Sequence, residues 1–286
     1  MTKPVIGVFG LGSIGARHAK NFESLGCTVY GYDANKDTSD RAQFVGNFSD
    51  AYVVASPTPT HYLYIDRLKK PMLVEKPIVM TRTEWECVTL PFVYMVGYNL
   101  RFHSCVRKAR QWMGDGLIGK PVWARFTCAQ LNNRPDYLRD GVVLNWSHEI
   151  DLALHLLGKA VVVGAAVTHT PEDMADILLQ HPATLCRTTI HLDYVTQPER
   201  RGFVIVGENG SIDADLVSRQ VFMKDREGKL IHCHFGRDSF DGNYLHEAQS
   251  FLAMVEGKVD PKHLVGCTAR EAMDVVDICL TAKDYP

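Results

Sequence analysis

Along the first hundred residues, short apolar runs of strand length alternate with amphipathic stretches of helix length. "VIGVF", Val5 to Phe9, is largely β-branched and apolar without alternation, the pattern of a strand covered on both faces. A helical pattern then runs to Leu25, and Gly26 is placed to cap its end. Cys27–Tyr32, Ala51–Ala55, Met72–Val74 and Phe92–Gly97 read as further strands, and Tyr62–Lys70 as a short helix. This alternation predicts a parallel sheet with helices on its faces. After Lys120 the pattern changes: segments 121–128, 185–195, 201–206 and 220–235 read as alternating strands, with "KDREGK" (224–229) as a hairpin turn. Two helical patterns, Leu245–Val255 and Arg270–Lys283, close the chain. The fold class is α/β: a parallel-sheet domain over 1–119, joined tightly to an α+β domain over 120–286.

Two connections are short. Only 14 residues separate Asp33 from Phe48, and "TRTEWECVTLPFVYM" leaves a cramped helix, so one sheet-covering helix is expected to be reduced or lost. Composition narrows the classes further. At 286 residues, 46% hydrophobic and 22% charged, the chain has the make-up of a globular protein. A net charge of −2 gives no footprint for nucleic acid or an anionic membrane. The longest apolar runs are strand-sized, too short for a membrane span. "MTKPVIGVFG" enters a strand almost at once, which argues against a signal peptide. The eight scattered cysteines contain no Cys-x-x-Cys pair and fit reduced thiols in a cytoplasmic compartment.

The densest chemistry lies directly after the first strand, in Gly10-Leu11-Gly12-Ser13-Ile14-Gly15. Gly10 permits a tight turn, Gly12 lets a pyrophosphate approach the backbone, and Gly15 allows helix to pack on strand. The second strand ends in Asp33, 18 positions after Gly15, placed to accept hydrogen bonds from a ribose 2′-hydroxyl. With strand, glycines, helix, second strand and acid in register, the first domain is read as a Rossmann dinucleotide-binding domain. NAD is favoured, and NADP stays open because Asn35 and Lys36 could accommodate a phosphate. The loop Ser56-Pro57-Thr58-Pro59-Thr60-His61 and the tripeptide Glu75-Lys76-Pro77 both fall at carboxyl ends of strands, where open α/β sheets bind ligands. Ser13, Ile14, Ser56, Pro57, Thr58, His61, Glu75, Lys76 and Asn99 join the glycines and Asp33 as candidate cofactor contacts.

The pieces "GLGSIG", "ASPTPTH", "VEKP", "GYNLRF" (97–102) and "GVVLNWSHEID" (141–151) resemble, in content and order, the Gfo/Idh/MocA oxidoreductases, the family of glucose–fructose oxidoreductase and inositol dehydrogenase. They cover about the first half of the chain; the rest matches in layout more than in motif. The resemblance implies a Rossmann domain followed by a domain with an open, mostly antiparallel sheet. One face of that sheet serves the substrate, and the other often serves a partner subunit in a homo-oligomer, dimer or tetramer. It also implies that Lys76 reaches the substrate hydroxyl, that Pro77 often follows a cis bond, and that Asn99 lies near the nicotinamide end. "NNRPDYLRDG" resembles the substrate loop of relatives from sialic-acid and other surface-sugar pathways, which makes Arg134 and Tyr137 candidate sugar contacts.

Oxidation of an alcohol needs a group that removes the hydroxyl proton as hydride leaves carbon, and a neutral imidazole suits that role near pH 7. His148 is the candidate acid/base, with Lys76 as electrostatic partner. Helix is expected from Leu144, with His148, Asp151 and His155 on one face. Asp151 either orients His148 or packs. Relatives usually carry a carboxylate where this chain has Asn145, which can orient a hydroxyl but cannot take a proton. His155, within "LALHLLG", is read as a core histidine, and His232-Cys233-His234 alternates along a strand, so no metal site is expected. The expected activity is NAD(P)-dependent hydride transfer to or from a sugar or nucleotide-sugar hydroxyl or keto group. The alternative is a cofactor-binding sensor without turnover.

Overall fold

In the computed structural model, which describes residues 3–88, 90–132, 141–237, 239–259 and 265–286, burial follows the two patterns seen along the chain. The chain divides into two units, Met1–Phe102 with Ser239–Met273, and His103–Asp238 with Asp274–Pro286. The single join expected at 119/120 is therefore replaced by two discontinuous units. The first takes in a helix from near the C-terminus.

The first unit is built on a five-stranded sheet in the order β2-β1-β3-β4-β5, every pair parallel. Its strands are β1 (Val5–Phe9), β2 (Thr28–Tyr32), β3 (Ala51–Val54), β4 (Met72–Glu75) and β5 (Val93–Gly97). Ile6, Val8, Val53, Leu73 and Met95 are fully buried, as non-alternating apolar strands require. Helix α1 (Ser13–Ser24) packs on them, and α8 (Phe240–Val255) adds Phe251, whose ring meets Phe22 edge-on at 6.0 Å. Burying such a side chain contributes about 1.5–3 kcal/mol.

Of the two short connections, one carries a reduced helix, as expected. Between Asp33 and Phe48, α2 (Ser39–Phe48) forms in full, because Asp33 makes the connection compact. Its carbonyl accepts from Lys36 N at 2.9 Å and Asp37 N at 2.8 Å, while its own N–H donates to Asp37 Oδ2 at 2.8 Å. The helix after Glu-Lys-Pro is the reduced one: α4 (Arg82–Glu86) has 5 residues, started by a Thr81–Glu84 capping box. The short α3 (His61–Arg67) follows β3 through the 3-10 turn and buries His61 and Ile65.

The second unit carries an eight-stranded sheet in the order β13-β12-β11-β10-β6-β9-β8-β7, antiparallel except for the β6–β9 pair. Alternation along β6 (Pro121–Ala129) buries Ala124, Phe126 and Cys128 and leaves Trp123 and Arg125 exposed. β9 (Arg187–Asp193), β12 (Gln220–Asp225) and β13 (Leu230–Phe235) fall within the expected segments, and β10 (Arg200–Gly207) runs one residue past each end of its own. β7 (Val161–Val167), β8 (Met174–Gln180) and β11 (Gly210–Asp215) were not foreseen. On the covered face, α5 (Ser104–Gly114) packs on β11 to β13, while α6 (Val142–Asn145) and α7 (His148–Leu157) pack on β6, β8 and β9. The last helix, α9 (Ala269–Lys283), crosses from one unit into the other. All eight cysteines are free, and among the described residues no helix is long and apolar enough to cross a membrane.

Candidate active site

The loop from β1 into α1 is shaped by its glycines. Gly10 has φ 91°, and a Cβ there would lie 2.6 Å from Ala55 O; a Cβ on Gly15 would run into Gly10 O. Around Gly12, by contrast, a Cβ would meet nothing within 4 Å, so the backbone is open to an incoming group. Gly12 is also the N-cap of α1, with no side chain bonded to the helix start and no acid in the first turn. The positive helix end therefore stays available for an anion. Asp33 stands beside this loop: Leu11 N donates to its Oδ2 at 3.1 Å and Asn35 N to its Oδ1 at 3.0 Å. The backbone N–H groups of Asn35 and Leu11 hold its carboxyl below the usual carboxylate range, so it is an anion at neutral pH.

At the end of β4 the Lys76–Pro77 bond is cis. Glu75 turns back into the unit, its Oε1 2.8 Å from His18 Nε2, and Lys76 N donates to its Oε2 at 3.2 Å. His18 is fully buried on α1, with the Tyr244 ring of α8 edge-on at 5.8 Å. Buried Glu247 joins them; one ligand-type atom from each of His18, Glu75 and Glu247 lies within 4.8 Å of the others, a spacing that could also hold a cation. The Glu75-Lys76-Pro77 turn is thus fastened from beneath, and Lys76 is half-buried.

His61 was expected to meet the cofactor, but its ring is 1% exposed. Nδ1 lies 3.0 Å from Pro77 O and Nε2 2.8 Å from Ser56 O, so it ties the β3 loop to the cis-proline turn. Burial pushes its pKa down, which leaves a neutral ring that can donate to only one of those carbonyls. Ser56 accepts from Thr60 Oγ1 at 2.8 Å, and Pro57 and Thr58 lead into the 3-10 turn Thr58–Thr60. Asn99 opens the turn after β5 and is 2% exposed, yet its Nδ2 has no hydrogen-bond partner among the described residues. A buried orphan donor is costly unless a ligand completes it. Arg101 is structural: it reaches Gly266 O and Glu271 Oε1, each at 3.2 Å.

In the second unit, the expected single helix from Leu144 is two. α6 ends at Asn145, the helix is interrupted by a turn at Trp146 and Ser147, and His148 begins α7. Asn145 and His148 are half-buried, and Asp151 is fully buried one turn on. Val142 N donates to Glu172 O at 3.0 Å and Val143 N to Glu172 Oε1 at 3.2 Å; Lys283 holds the same carboxylate at 2.8 Å. Next to His148, buried Glu149 grips Arg201 through two bonds, at 2.8 and 3.1 Å. Burial alone would lower the Arg201 pKa, but the Glu149 charge raises it, so the guanidinium stays charged. Arg134 and Tyr137 lie outside the described residues. Sequence reasoning missed His18, Glu247 and the Glu149–Arg201 pair; Gly15-x-x-His18, a polar residue on the buried face of α1, was the one available signal.

Residues 106–213 match the GFO/IDH/MocA C-terminal domain. The chain as a whole also has curated relatives. It is 24% identical to the myo-inositol 2-dehydrogenase of Thermotoga maritima over 90% of this chain and 89% of that one. It is 23% identical to the 2,7-anhydro-N-acetylneuraminate hydratase of Escherichia coli over 82% of this chain and 71% of that one. Levoglucosan dehydrogenase in complex with NADH and levoglucosan shares its fold, with a TM-score of 0.81 at 16% identity over 98% of this chain and 97% of that one. The chain thus has relatives along nearly its whole length.

Proposed function

We propose that this protein is a GFO/IDH/MocA-type, NAD(P)-dependent dehydrogenase or reductase acting on a CH–OH or keto group of a sugar or nucleotide sugar. The observation that carries the reading is the fastened turn at Lys76, on the same sheet edge as an open Gly12, an anionic Asp33 and an orphan Asn99 amide. These residues suit a dinucleotide: α1 and Gly12 at the pyrophosphate, Asp33 at the adenosine ribose, Asn99 at the nicotinamide end. When bound, the nicotinamide accepts or gives the hydride. Asp33 as an anion favours NAD over NADP, since a 2′-phosphate beside it is repelled.

Lys76 is assigned to the substrate oxygen, where its ammonium stabilises the developing alkoxide. His148 is assigned the hydroxyl proton, and Asp151 the orientation of His148. Asn145, in place of a carboxylate, is assigned a hydrogen bond to a neighbouring hydroxyl. Arg134 and Tyr137 complete the sugar contacts. The protein is proposed to work in the cytoplasm as a homo-oligomer joined through the open face of the second sheet, where Trp123 and Val204 stand on neighbouring strands with limited cover. The inositol dehydrogenase and levoglucosan dehydrogenase relatives support a polyol or sugar substrate.

Asn145 is the observation that favours a sensor without turnover, since it removes a group able to tune the base. The test is growth of the reduced-nicotinamide absorbance with NAD across a panel of polyols, sugars and nucleotide sugars. Turnover with any of them supports the enzyme. NAD binding with no turnover on the whole panel, in either direction, contradicts it.

A further inference from the structure

On the second unit, one face of α5 and the end of β13 enclose a cavity of 610 Å³ lined by Ser104, Arg107, Lys108, His234, Phe235 and Arg237 among others. Among the described residues its lining holds three cationic side chains and no acid. Among the described residues neither Arg107 nor Arg237 has an ion-pair partner, and Lys108 donates only to Gln111 Oε1 at 2.9 Å. The cations also stand at the wrong end of a helix: α5 has no acid in its first turn and carries Arg107 and Lys108 at its fourth and fifth positions, against the helix dipole.

Two donors behind the cavity wall are unfilled. Ser104 is 8% exposed, and its Oγ has no hydrogen-bond partner among the described residues beyond a weak contact with the Cys105 thiol. Arg219 has a buried Nη1 without a partner. The two side chains flank Gly236, next to Arg237, and Gly236 N donates to Arg219 O at 2.8 Å. Arg219 holds a left-handed backbone, φ 60°, at the end of the turn that joins β11 to β12. The neighbouring acid, Asp215, is occupied: its Oδ1 accepts from Val217 N at 2.8 Å and Ser218 N at 3.0 Å.

We infer that this cavity is a second ligand site, which binds a phosphate-bearing small molecule through Arg107, Arg237, Lys108 and the Ser104 hydroxyl. Two guanidinium groups, an ammonium and a hydroxyl lining one cavity are a donor set that fits a tetrahedral dianion. The volume falls in the range of small-molecule pockets. A concave, bounded patch on a chain of net charge −2 suits a metabolite rather than a polyanionic surface. Phe235, 57% exposed on the rim, offers a face to an organic portion. The site is separate from His148: α7 packs on β6 and β9, and four strand spacings, roughly 19 Å, separate β13 from β6.

The test is calorimetric titration of inorganic pyrophosphate at physiological salt into the chain saturated with NADH, so that the glycine-rich loop is already filled. Saturation is checked by NADH fluorescence; a chain that takes no NADH speaks against the dehydrogenase reading, and the comparison of variants below still decides this site. Wild type is expected to bind pyrophosphate saturably, and Arg107→Glu and Arg237→Glu, both at exposed positions, to bind it at least about tenfold more weakly with NADH binding unchanged. UDP binding more tightly than pyrophosphate, with the gain lost in Phe235→Ala, identifies a nucleotide as the source; equal binding identifies the diphosphate alone. Absence of saturable binding at millimolar pyrophosphate, or equal affinity in wild type and both charge reversals, overturns the inference.

Discussion

His18 Nε2 lies 2.8 Å from Glu75 Oε1, joining the helix after the glycine-rich loop to the turn that carries Lys76, across 57 residues of sequence. A buried imidazole N–H donating to a carboxylate is a charge-assisted bond. Its removal leaves Glu75 without that donor and opens a gap against Tyr244. His18→Ala is expected to cost about 2–3 kcal/mol in urea unfolding and to lower kcat by at least about tenfold while leaving NAD affinity nearly unchanged. A variant matching wild type in both midpoint and kcat means that the brace is not what holds Lys76.

Gly12 and Gly15 separate folding from cofactor approach. A Cβ at Gly15 strikes the Gly10 carbonyl, so Gly15→Ala is expected to destabilise the fold. Gly12→Val has open space in the free chain but fills the pyrophosphate approach. Its melting temperature should stay close to wild type while NAD affinity falls at least about tenfold. Loss of stability at Gly12, with NAD affinity kept, would place the pyrophosphate elsewhere.

Asp33 decides between the two nicotinamide cofactors by its charge. Asp33→Ser removes the repulsion of a 2′-phosphate and one acceptor of the ribose hydroxyl. The ratio of kcat/KM for NAD over NADP is expected to fall by about ten- to a hundredfold, or 1.4–2.8 kcal/mol. An unchanged ratio dissociates Asp33 from the ribose.

His191 sits between two acids on the open sheet face, with Nδ1 2.8 Å from Asp176 Oδ1 and Nε2 2.9 Å from Asp193 Oδ2. Partial burial pulls its pKa down, but Asp176 and Asp193 outweigh it and the net shift is upward. A raised folded pKa means that the contribution to stability is fully present below the unfolded value of 6.5 and is lost as pH rises through the folded value. Asp193 is shifted down, by backbone N–H groups of Thr196 and Val195 against its burial, so its own contribution fades only as pH falls below 3.8. The stability difference between wild type and His191→Gln should be largest near pH 6 and shrink toward pH 9. A difference that grows with pH contradicts the doubly acceptor-bound imidazolium.

How much of this was legible in the sequence depends on how local each feature is. β1, the glycines, α1, β2 and Asp33 are set by neighbours within thirty-three residues, and they read correctly. Which of the two short connections would lose helix stayed open, because the Asp33–Asp37 turn is made of side-chain and backbone bonds that periodicity does not carry. β7 and β11 escaped notice for a different reason. "GSIDAD" has only Ile212 among the bulky side chains that mark a strand, whereas "VVVGAAV" carries four valines, a strand signal interrupted by Gly164 and two alanines. The break at Trp146–Ser147, which separates Asn145 from His148, lies in a stretch with no glycine or proline to announce it. His18 was visible only as a polar residue on a buried face. Its partners Glu75 and Glu247 are separated from it by most of the unit and come together through the sheet and α8.

The central claim is that Lys76 acts on the substrate and not on the binding of the cofactor. The most direct measurement compares wild type with Lys76→Ala for NADH binding by fluorescence and for turnover on the best substrate of the panel. The account predicts an NADH affinity within about threefold of wild type and a kcat/KM lower by roughly two to four orders of magnitude. A Lys76→Ala variant that turns over at the wild-type rate, or one that loses turnover only because NADH no longer binds, would contradict it.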